Sequence, residues 1–394
     1  MLLCNLRIIG KKGLQNIQVT NGKITAVTEV EKYSKNSKEN KTQIEFADVI
    51  AFPGLINSHD HLDFNLFPQT GNHIYNNYTE WGKDIHIKNK GTIDAVLKIP
   101  QYIRTQWGLY KNLLNGVTTV VNHGGKLNIK SNLINVIQST NCLHSTQFEK
   151  NWRWKLNNIF TKNQPYVIHI GEGTDKASRD EIDELIKWNL FKKKLIGVHG
   201  VAMDDKQAGS FKALIWCPAS NNFLLNSTAV IDELKTKTSI LFGTDATLTA
   251  SWNMWEQLRI ARGTLLLTDE ELFDSLTKNA ATIWKRNNIA SINVNKQADI
   301  IVANANNKTG FDAFYSLNPE DIQLILRKGE ILLFDEEIKN RLAATNLSFS
   351  AFSKICINGK VKYIYGDITG LMNEILSYYH DASFPFSVPT YTTR

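Results

Sequence analysis

Residues 49–62 read V-I-A-F-P-G-L-I-N-S-H-D-H-L, an apolar run that ends in two closely spaced histidines. The run predicts a short strand buried on both faces, as in a parallel sheet, because apolar residues dominate it and Pro53-Gly54 limits the pairing. His59 and His61 are two residues apart, so an extended chain would project both imidazoles to the same side. Such a pair is typical of a transition-metal site. An H-x-H alone fits an exposed loop equally well, so the rest of the chain has to decide.

Short apolar strands alternate with longer segments of helical period as far as about residue 290. This alternation predicts repeated β-α units. We expect strands at 117–121, 142–147, 166–170, 195–198, 213–217 and 239–242, and helices at 178–190 and 268–279. In a closed parallel barrel the strand ends share one rim, where active sites lie. The sequence therefore predicts an α/β protein with a (β/α)8 barrel of the TIM type. Polar side chains stand at the predicted strand ends: His59, His123, His169, His199 and Asp245.

Both ends of the chain are rich in strand-forming residues and tight turns. Asn21-Gly22 and Asn358-Gly359 are strong hairpin signals, and Lys328-Gly329 is a further turn. We expect one small β-sandwich formed jointly by both termini. The predicted domains are residues 1–50 and 291–394 for the two parts of the sandwich, the second with a tail, and 51–290 for the barrel. Residues 32–42 are polar and predict a loop.

The composition is that of an ordinary globular protein. Of the 394 residues, 42% are hydrophobic and 21% are charged. The formal net charge of +7 is spread along the chain, which argues against a nucleic-acid partner. The four cysteines form no C-x-x-C and favour a reduced cytosolic protein. Because no signal peptide or bilayer-length apolar run is seen, we expect a cytoplasmic protein without a membrane partner.

Five short motifs follow one another along the chain, each at a predicted strand end. They are P-G-L-I-N-S-H-D-H-L, H-I-G-E-G, G-V-H-G, W-C-P-A-S-N and F-G-T-D-A. Each motif is weak alone, but the ordered set resembles the amidohydrolase superfamily. More narrowly, it resembles the cytosine/adenosine-deaminase-like branch, which includes methylthioadenosine/S-adenosylhomocysteine deaminases and triazine hydrolases. The resemblance covers nearly the whole chain.

The resemblance implies a role for each motif residue. The implied metal ligands are His59, His61, His169 and Asp245, and the implied catalytic residues are Glu172, His199 and Asp245. Glu172 would shuttle protons, His199 would contact the attacking water or the substrate, and Asp245 would also accept the proton of that water. Three nitrogens and one oxygen suit Zn²⁺ and tolerate Fe²⁺. The H-x-x-E pattern favours one metal per chain.

Several residues have a second interpretation. His169 could be a core histidine, Asp245 could cap a helix and His199 could lie in a simple turn. The order of the motifs favours a metal-binding or catalytic role for all three. His123 would either touch the substrate or only pack. Trp81, in the long loop after the first strand, would either wall a planar ring or pack on that loop. Ser220 and Asn221, in P-A-S-N, are predicted to hold a loop.

The sequence thus predicts a metal-dependent hydrolase of non-peptide C–N bonds. The leading reaction is hydrolytic deamination of a nitrogen heterocycle by a metal-activated water. One alternative is a binuclear cyclic amidase or dipeptidase-like enzyme. This alternative stays open because the fourth strand cannot be placed. Lys150 or Lys155, near its expected position, would then be the carboxylated lysine of a two-metal site. The second alternative is a non-catalytic barrel scaffold. It is disfavoured because the chain keeps all the implied metal ligands. The expected partner is a small-molecule substrate, and we expect a homodimer.

Overall fold

The computed structural model describes residues 1–30, 42–161, 164–342 and 347–389. The predicted polar loop at 32–42 lies outside these ranges except for its last residue. Among the described residues, none of the helices combines the length and the apolar character that a bilayer crossing requires. The chain divides into two compact units.

Strands and helices alternate in the middle of the chain, and strands dominate its ends. The strands are β1 (Leu2–Ile8), β2 (Gln15–Thr20), β3 (Lys23–Glu29), β4 (Gln43–Glu45), β5 (Val49–Pro53), β6 (Leu55–Asp60), β7 (Val117–Asn122), β8 (Asn135–Ile137), β9 (Asn141–Ser145), β10 (Tyr166–Ile170), β11 (Leu195–His199), β12 (Ala213–Trp216), β13 (Ser239–Phe242), β14 (Ile300–Asn304), β15 (Ile322–Arg327), β16 (Glu330–Asp335), β17 (Phe352–Ile357) and β18 (Lys360–Tyr365). The helices are α1 (Tyr78–Lys88), α2 (Lys90–Leu97), α3 (Gln101–Leu114), α4 (Trp152–Leu156), α5 (Lys176–Trp188), α6 (Asp205–Ala208), α7 (Pro218–Leu225), α8 (Ile231–Leu234), α9 (Met254–Gly263), α10 (Asp269–Leu276), α11 (Lys278–Ile283), α12 (Gly310–Tyr315), α13 (Lys339–Leu342) and α14 (Ile368–Tyr378).

The first unit is built mainly from the two ends of the chain, Met1–Leu55 and Trp284–Arg394, with Asn112–Thr118. Its strands run in the order β17-β18-β16-β15-β14-β5-β1-β2-β3. Most neighbours are antiparallel, and alternate side chains pack into one apolar core. Asn21-Gly22 and Asn358-Gly359 have positive φ at both residues, as a two-residue hairpin turn requires. A β-unit shared by both termini is therefore confirmed.

The second unit, Ile56–Lys111 and Thr119–Ile283, contains the barrel. Its strands form two arcs, β6-β7-β8 and β13-β12-β11-β10-β9. The pairs in the five-stranded arc and the β7–β8 pair are parallel. The backbone N–H groups of Thr244 and Asp245 both donate to the His59 carbonyl, at 3.1 Å, and this joins the end of β13 to the end of β6. The strands β6, β7, β10, β11 and β12 are buried throughout, as expected when a parallel sheet is covered on both faces. The predicted barrel is confirmed.

The outer layer of the barrel lacks helices around its third strand. Within residues 117–145, all of them described, no helix lies between β7 and β8, and only residues 138–140 link β8 to β9. The strand predicted at 142–147 is β9, the fourth strand, because it pairs with β10. The third strand, β8, has three residues, too few for a periodic pattern to be recognised.

The two predicted helix starts differ in outcome. Thr268 caps α10 and forms a capping box with Glu271, as predicted. Ser178 does not cap α5, because Asp175 is the N-cap and its carboxylate accepts from the Ser178 N–H at 2.9 Å. The predicted domain boundaries at residues 50 and 290 remain predictions.

Candidate metal centre and active site

Three barrel strands deliver the expected ligands to one end of the second unit. His59 lies in β6 and His61 follows that strand, His169 lies in β10, and Asp245 comes shortly after β13. Close approach of β13 to β6 requires Gly243, since an added Cβ there would lie 2.7 Å from the His59 Cβ. The parallel arrangement therefore brings residues far apart in sequence to the same rim.

The four ligand atoms converge. The Nε2 atoms of His59 and His169 are 3.2 Å apart, and the Oδ1 atom of Asp245 lies 3.5 Å from the Nε2 atoms of both His59 and His61. A tetrahedral metal with ligand bonds of about 2.0–2.1 Å would separate its ligand atoms by roughly 3.3–3.4 Å. The three spacings are close to this value, and His59, His61 and Asp245 form one group whose ligand atoms lie within 4.8 Å of one another, with His169 in contact through His59. All four are buried.

Two imidazoles of this cluster, those of His61 and His169, have lowered pKa values, which favour the neutral form that binds metals. Burial, followed by the charge of neighbouring His59, lowers the pKa of His61 to about 3. Burial and the surrounding histidines also lower the pKa of His169 well below its ordinary value. Burial alone would raise the pKa of Asp245, but the hydrogen bond and charge of His59 and the charges of His61 and His199 hold it well below the usual range. The cluster therefore favours neutral imidazoles at His61 and His169 and an ionised carboxylate at Asp245.

Asp245 is fixed through the oxygen that faces away from the histidines. Its Oδ2 atom accepts from the hydroxyls of Ser220, at 2.9 Å, and Thr249, at 3.0 Å. The residue has φ of +55°, a left-handed conformation that costs energy for a side chain with Cβ. The hydroxyl pair and the strained backbone aim Oδ1 at the ligand cluster. Sequence analysis had given Ser220 only a loop-holding role.

Glu172 and His199 form a second pair beside the ligands. The His199 Nε2 atom lies 3.5 Å from the Glu172 Oε2 atom, and His199 Nδ1 is 2.8 Å from the Oδ1 atom of Asn221. Because an amide oxygen only accepts, Nδ1 carries the proton and Nε2 is left as an acceptor toward Glu172. Burial, then the charges of Asp245 and Glu181, raise the pKa of Glu172 well above its ordinary value. Glu172 is thus a buried carboxyl group beside the cluster whose neutral, protonated form is favoured relative to a free glutamate.

Buried polar side chains form hydrogen bonds around His59-Asp60-His61, the H-D-H motif. Lys111, 1% exposed, lies 3.2 Å from the Oδ2 atom of Asp60 and donates to the Oδ1 atom of Asn65 at 3.0 Å. Asn57 donates to the Thr244 hydroxyl at 2.8 Å and accepts from the Thr244 N–H at 3.1 Å. These contacts link the first and last barrel strands. Sequence reasoning missed Lys111, because a lysine on an amphipathic helix normally indicates a solvated face.

Two further histidines reach the cluster. The ring of His123 lies 4.3 Å from that of His169, and its Nε2 atom is 3.4 Å from the Cys142 Sγ atom. His123, His59 and His169 also form a group whose ligand atoms lie within 4.8 Å of one another. The His144 ring lies 5.3 Å from that of His169. His144 lies within the strand predicted at 142–147, but because it belongs to none of the motifs the sequence indicated only a local structural role.

The other candidates lie elsewhere. The indole N–H of Trp81 donates to the Thr70 carbonyl at 2.8 Å, and the ring packs on the cluster of Tyr75 and Leu224. Its role as a substrate contact stays a prediction. Lys150 is exposed, and Lys155 is half exposed with its Nζ atom 2.9 Å from Glu149. Neither lysine occupies the end of β9, the position that a carboxylated lysine would need.

Comparison with known proteins was made at the level of sequence and of fold. Residues 153–332 match the sequence profile of the amidohydrolase family. The chain carries an amidohydrolase-family domain. Amidohydrolases are metal-dependent hydrolases, and the match supports a hydrolase acting on carbon–nitrogen bonds other than peptide bonds. The resemblance inferred from the motifs is confirmed at this level.

The curated relatives of this amidohydrolase are deaminases. One is the 5-methylthioadenosine/S-adenosylhomocysteine deaminase of Caldicellulosiruptor saccharolyticus, 23% identical over 81% of this chain and 89% of the relative. Another is the 5'-deoxyadenosine deaminase of Methanocaldococcus jannaschii, 24% identical over 86% of this chain and 96% of the relative.

Solved structures share the fold of this amidohydrolase at low identity. An adenosine deaminase from Xanthomonas campestris with bound zinc has a TM-score of 0.69 at 14% identity, covering 96% of this chain and 98% of the other. A guanine deaminase from C. acetobutylicum with bound guanine has a TM-score of 0.60 at 16% identity, covering 84% and 99%. At such identities the likeness supports the fold alone.

Proposed function

We propose that this amidohydrolase deaminates a nitrogen heterocycle, replacing a ring amino group with oxygen and releasing ammonia. One observation carries the proposal: contacts of 3.2–3.5 Å link the Nε2 atoms of His59, His61 and His169 and the Oδ1 atom of Asp245, beside the buried carboxyl group of Glu172. The deaminase names of the relatives support the same reaction class. A purine nucleoside is the first substrate to test.

In this proposal His59, His61, His169 and Asp245 hold one divalent metal, with Zn²⁺ favoured by the donor set and Fe²⁺ as a substitute. When bound, such a metal polarises a water molecule into a nucleophile at neutral pH. Asp245 contributes its Oδ1 atom as ligand, because Oδ2 already accepts two hydroxyl hydrogen bonds. Ser220 and Thr249 would set the direction of that oxygen.

Glu172 carries the protons in the proposed mechanism. Hydrolytic deamination needs one proton on the ring nitrogen when oxygen adds to the neighbouring carbon, and a second on the leaving amino group. A carboxyl group with a raised pKa gives the first proton to the ring nitrogen, regains one from the water and gives that to the amine. The second proton of the water, released when the C–N bond breaks and the added oxygen becomes the carbonyl, restores the carboxyl group. The His199 Nε2 atom, with its proton on Nδ1 toward Asn221, accepts a hydrogen bond at this point and orients the water.

The test combines metal analysis with an ammonia-release screen. We expect about one zinc or iron per chain and ammonia release from 5'-deoxyadenosine, 5'-methylthioadenosine or another aminated heterocycle. Two metals per chain with activity on cyclic amides would instead support the binuclear alternative. A metal-free protein inert to the whole panel would contradict the proposal and revive the scaffold alternative.

The proton role of Glu172 is tested by Glu172→Gln. The amide keeps the shape of the side chain but cannot transfer a proton, so kcat should fall at least about 10²-fold. Metal content should stay at the wild-type value, since Glu172 is not among the proposed ligands. Retention of more than a tenth of the activity would remove the shuttle role. Glu184→Gln, an exposed neighbour on α5, serves as the control.

A further inference from the structure

Helix α5 carries one carboxyl group that the proposed mechanism does not use. Glu181 is 4% exposed and points inward with Ile182 and Leu185, whereas Glu184 on the same helix is partly exposed and pairs with Arg153. Burial of a carboxyl group is costly unless it is hydrogen-bonded. Its contacts therefore indicate what it does.

Glu181 binds one group on each of two strand-end segments. Its Oε1 atom accepts from the backbone N–H of Gly171 at 2.8 Å, and its Oε2 atom accepts from the Thr146 hydroxyl at 2.6 Å. Gly171 follows β10 and directly precedes Glu172. Thr146 directly follows β9. One buried carboxyl group thus ties the ends of the fourth and fifth barrel strands together.

Gly171 is the point at which the direction of Glu172 is set. It has φ of +62°, a conformation that favours glycine, and an added Cβ would lie 2.8 Å from the Ile182 Cδ1 atom, so the end of that side chain would have to move. The Gly171 carbonyl accepts from the Ala202 N–H at 3.0 Å. Because glycine itself has many accessible conformations, this turn depends on its anchors, and Glu181 supplies the anchor of the N–H.

We propose that Glu181 is a positioning residue for the reaction, whose carboxyl group fixes the Gly171 turn against the end of β9 and thereby aims Glu172 at the ligand cluster. This inference rests on the proposed function of Glu172. The two hydrogen bonds of Glu181 go to Gly171 and Thr146, which are not among the proposed ligands. Its loss should therefore reduce kcat rather than substrate or metal binding.

The experiment compares Glu181→Gln, Glu181→Ala and the control Glu184→Gln. Glutamine retains an oxygen that accepts from Gly171, whereas alanine loses both contacts. With 5'-deoxyadenosine or 5'-methylthioadenosine as probe, we expect kcat to fall about 10–100-fold in Glu181→Ala, by a smaller factor in Glu181→Gln, and not at all in the control. KM should change less than about threefold, and metal content should equal that of the wild type.

A second measurement does not require a substrate. Hydrogen–deuterium exchange of the segment 170–174 should accelerate in Glu181→Ala, while the segment 195–199, in β11, should exchange as in the wild type. Unchanged exchange at 170–174, unchanged kcat, or a loss of metal together with activity would overturn the positioning role. If Glu181→Ala does not fold, Thr146→Val removes one of the two contacts and is expected to give the same effects at smaller size. A wild-type protein inert to every heterocycle would count against the proposed function, whereas the exchange result alone decides this inference.

Discussion

At the residue scale, the site depends on groups that hold the ligands as much as on the ligands themselves. Ser220 and Thr249 bind the outer oxygen of Asp245, and Asn221 fixes the tautomer of His199. Supporting contacts of this kind commonly change metal affinity or activity by 10–100-fold when removed. The P-A-S-N motif, expected to be structural, therefore affects the site by orienting the side chains of Asp245 and His199.

Ser220→Ala should weaken metal binding about 10–100-fold, because Asp245 loses one of the two hydroxyls that direct its ligand oxygen. The measurement is a competition titration with a chelator. Ser377→Ala, which removes an exposed helix-end hydroxyl, is the control. Equal metal affinity in the two variants would show that Thr249 alone suffices to orient Asp245.

Glu181 should also give the protein a recognisable pH dependence of stability. Burial raises the pKa of Glu181 to about 7, so the folded protein binds its proton more tightly than the unfolded chain does. This group's contribution to the free energy of unfolding therefore falls as pH rises from about 4.5 to about 7, by at most about 3 kcal/mol. Because glutamine has no proton to lose in this range, the free energy of unfolding of Glu181→Gln should not show this fall.

The thermal midpoint of Glu181→Gln relative to the wild type should accordingly be higher at pH 8 than at pH 5. Glu184→Gln should show no such trend, because Glu184 is partly exposed. A constant difference between Glu181→Gln and the wild type across this range would mean that Glu181 is ionised at both pH values in the folded protein.

At the element scale, the helix that follows the first barrel strand packs unusually closely. Gly108 lies in α3, and an added Cβ would be 2.1 Å from the Leu62 carbonyl oxygen, just after His61. Gly91 lies in α2, where an added Cβ would meet nothing within 4 Å. Helix propensity alone predicts that alanine stabilises both helices by up to about 1 kcal/mol.

We expect opposite outcomes for the two glycines. Gly91→Ala should be neutral or stabilising, within about 1 kcal/mol. Gly108→Ala should destabilise by about 1–3 kcal/mol or more, since overpacking against backbone forces α3 away from the H-D-H motif. Thermal unfolding of both variants measures this. A stabilised Gly108→Ala would show that α3 moves outward without cost.

At the scale of the whole molecule, the proposed metal joins segments that are far apart in sequence. Its ligands come from β6, β10 and the segment after β13, which span most of the second unit. A ligand that binds only the folded state stabilises it by mass action, by about 4 kcal/mol at a thousand times its dissociation constant. Metal binding should therefore affect the stability of this unit as well as its chemistry.

Removal of metal by a chelator should lower the thermal midpoint and abolish ammonia release together. Zn²⁺ should restore both, and Mg²⁺ should restore neither, because it prefers oxygen ligands in octahedral geometry. Restoration by Mg²⁺ would argue against the nitrogen-rich ligand set. An unchanged midpoint after complete removal would show that the metal does not bind the folded state in preference to the unfolded chain, contrary to the proposed site.

Much of this architecture could be predicted from local patterns. Strands β10 and β13 have the predicted limits, and the capping box at Thr268 follows from residues only three apart. The third strand escaped detection because three residues carry no usable periodicity. His144 was missed for a different reason: its strand was predicted, but it lies in no motif, and only the tertiary structure places its ring 5.3 Å from that of His169.

The sequence by itself determined the order of strands and helices, the turns at both ends and the motif residues, because each depends on neighbours in the chain. Only the tertiary structure decided which side chains meet. The spacing of His59, His169 and Asp245, the hydroxyls on Asp245, the buried Lys111 and the two contacts of Glu181 all join residues distant in sequence. Such contacts arise when parallel strands place their ends at one rim, and no local pattern records them.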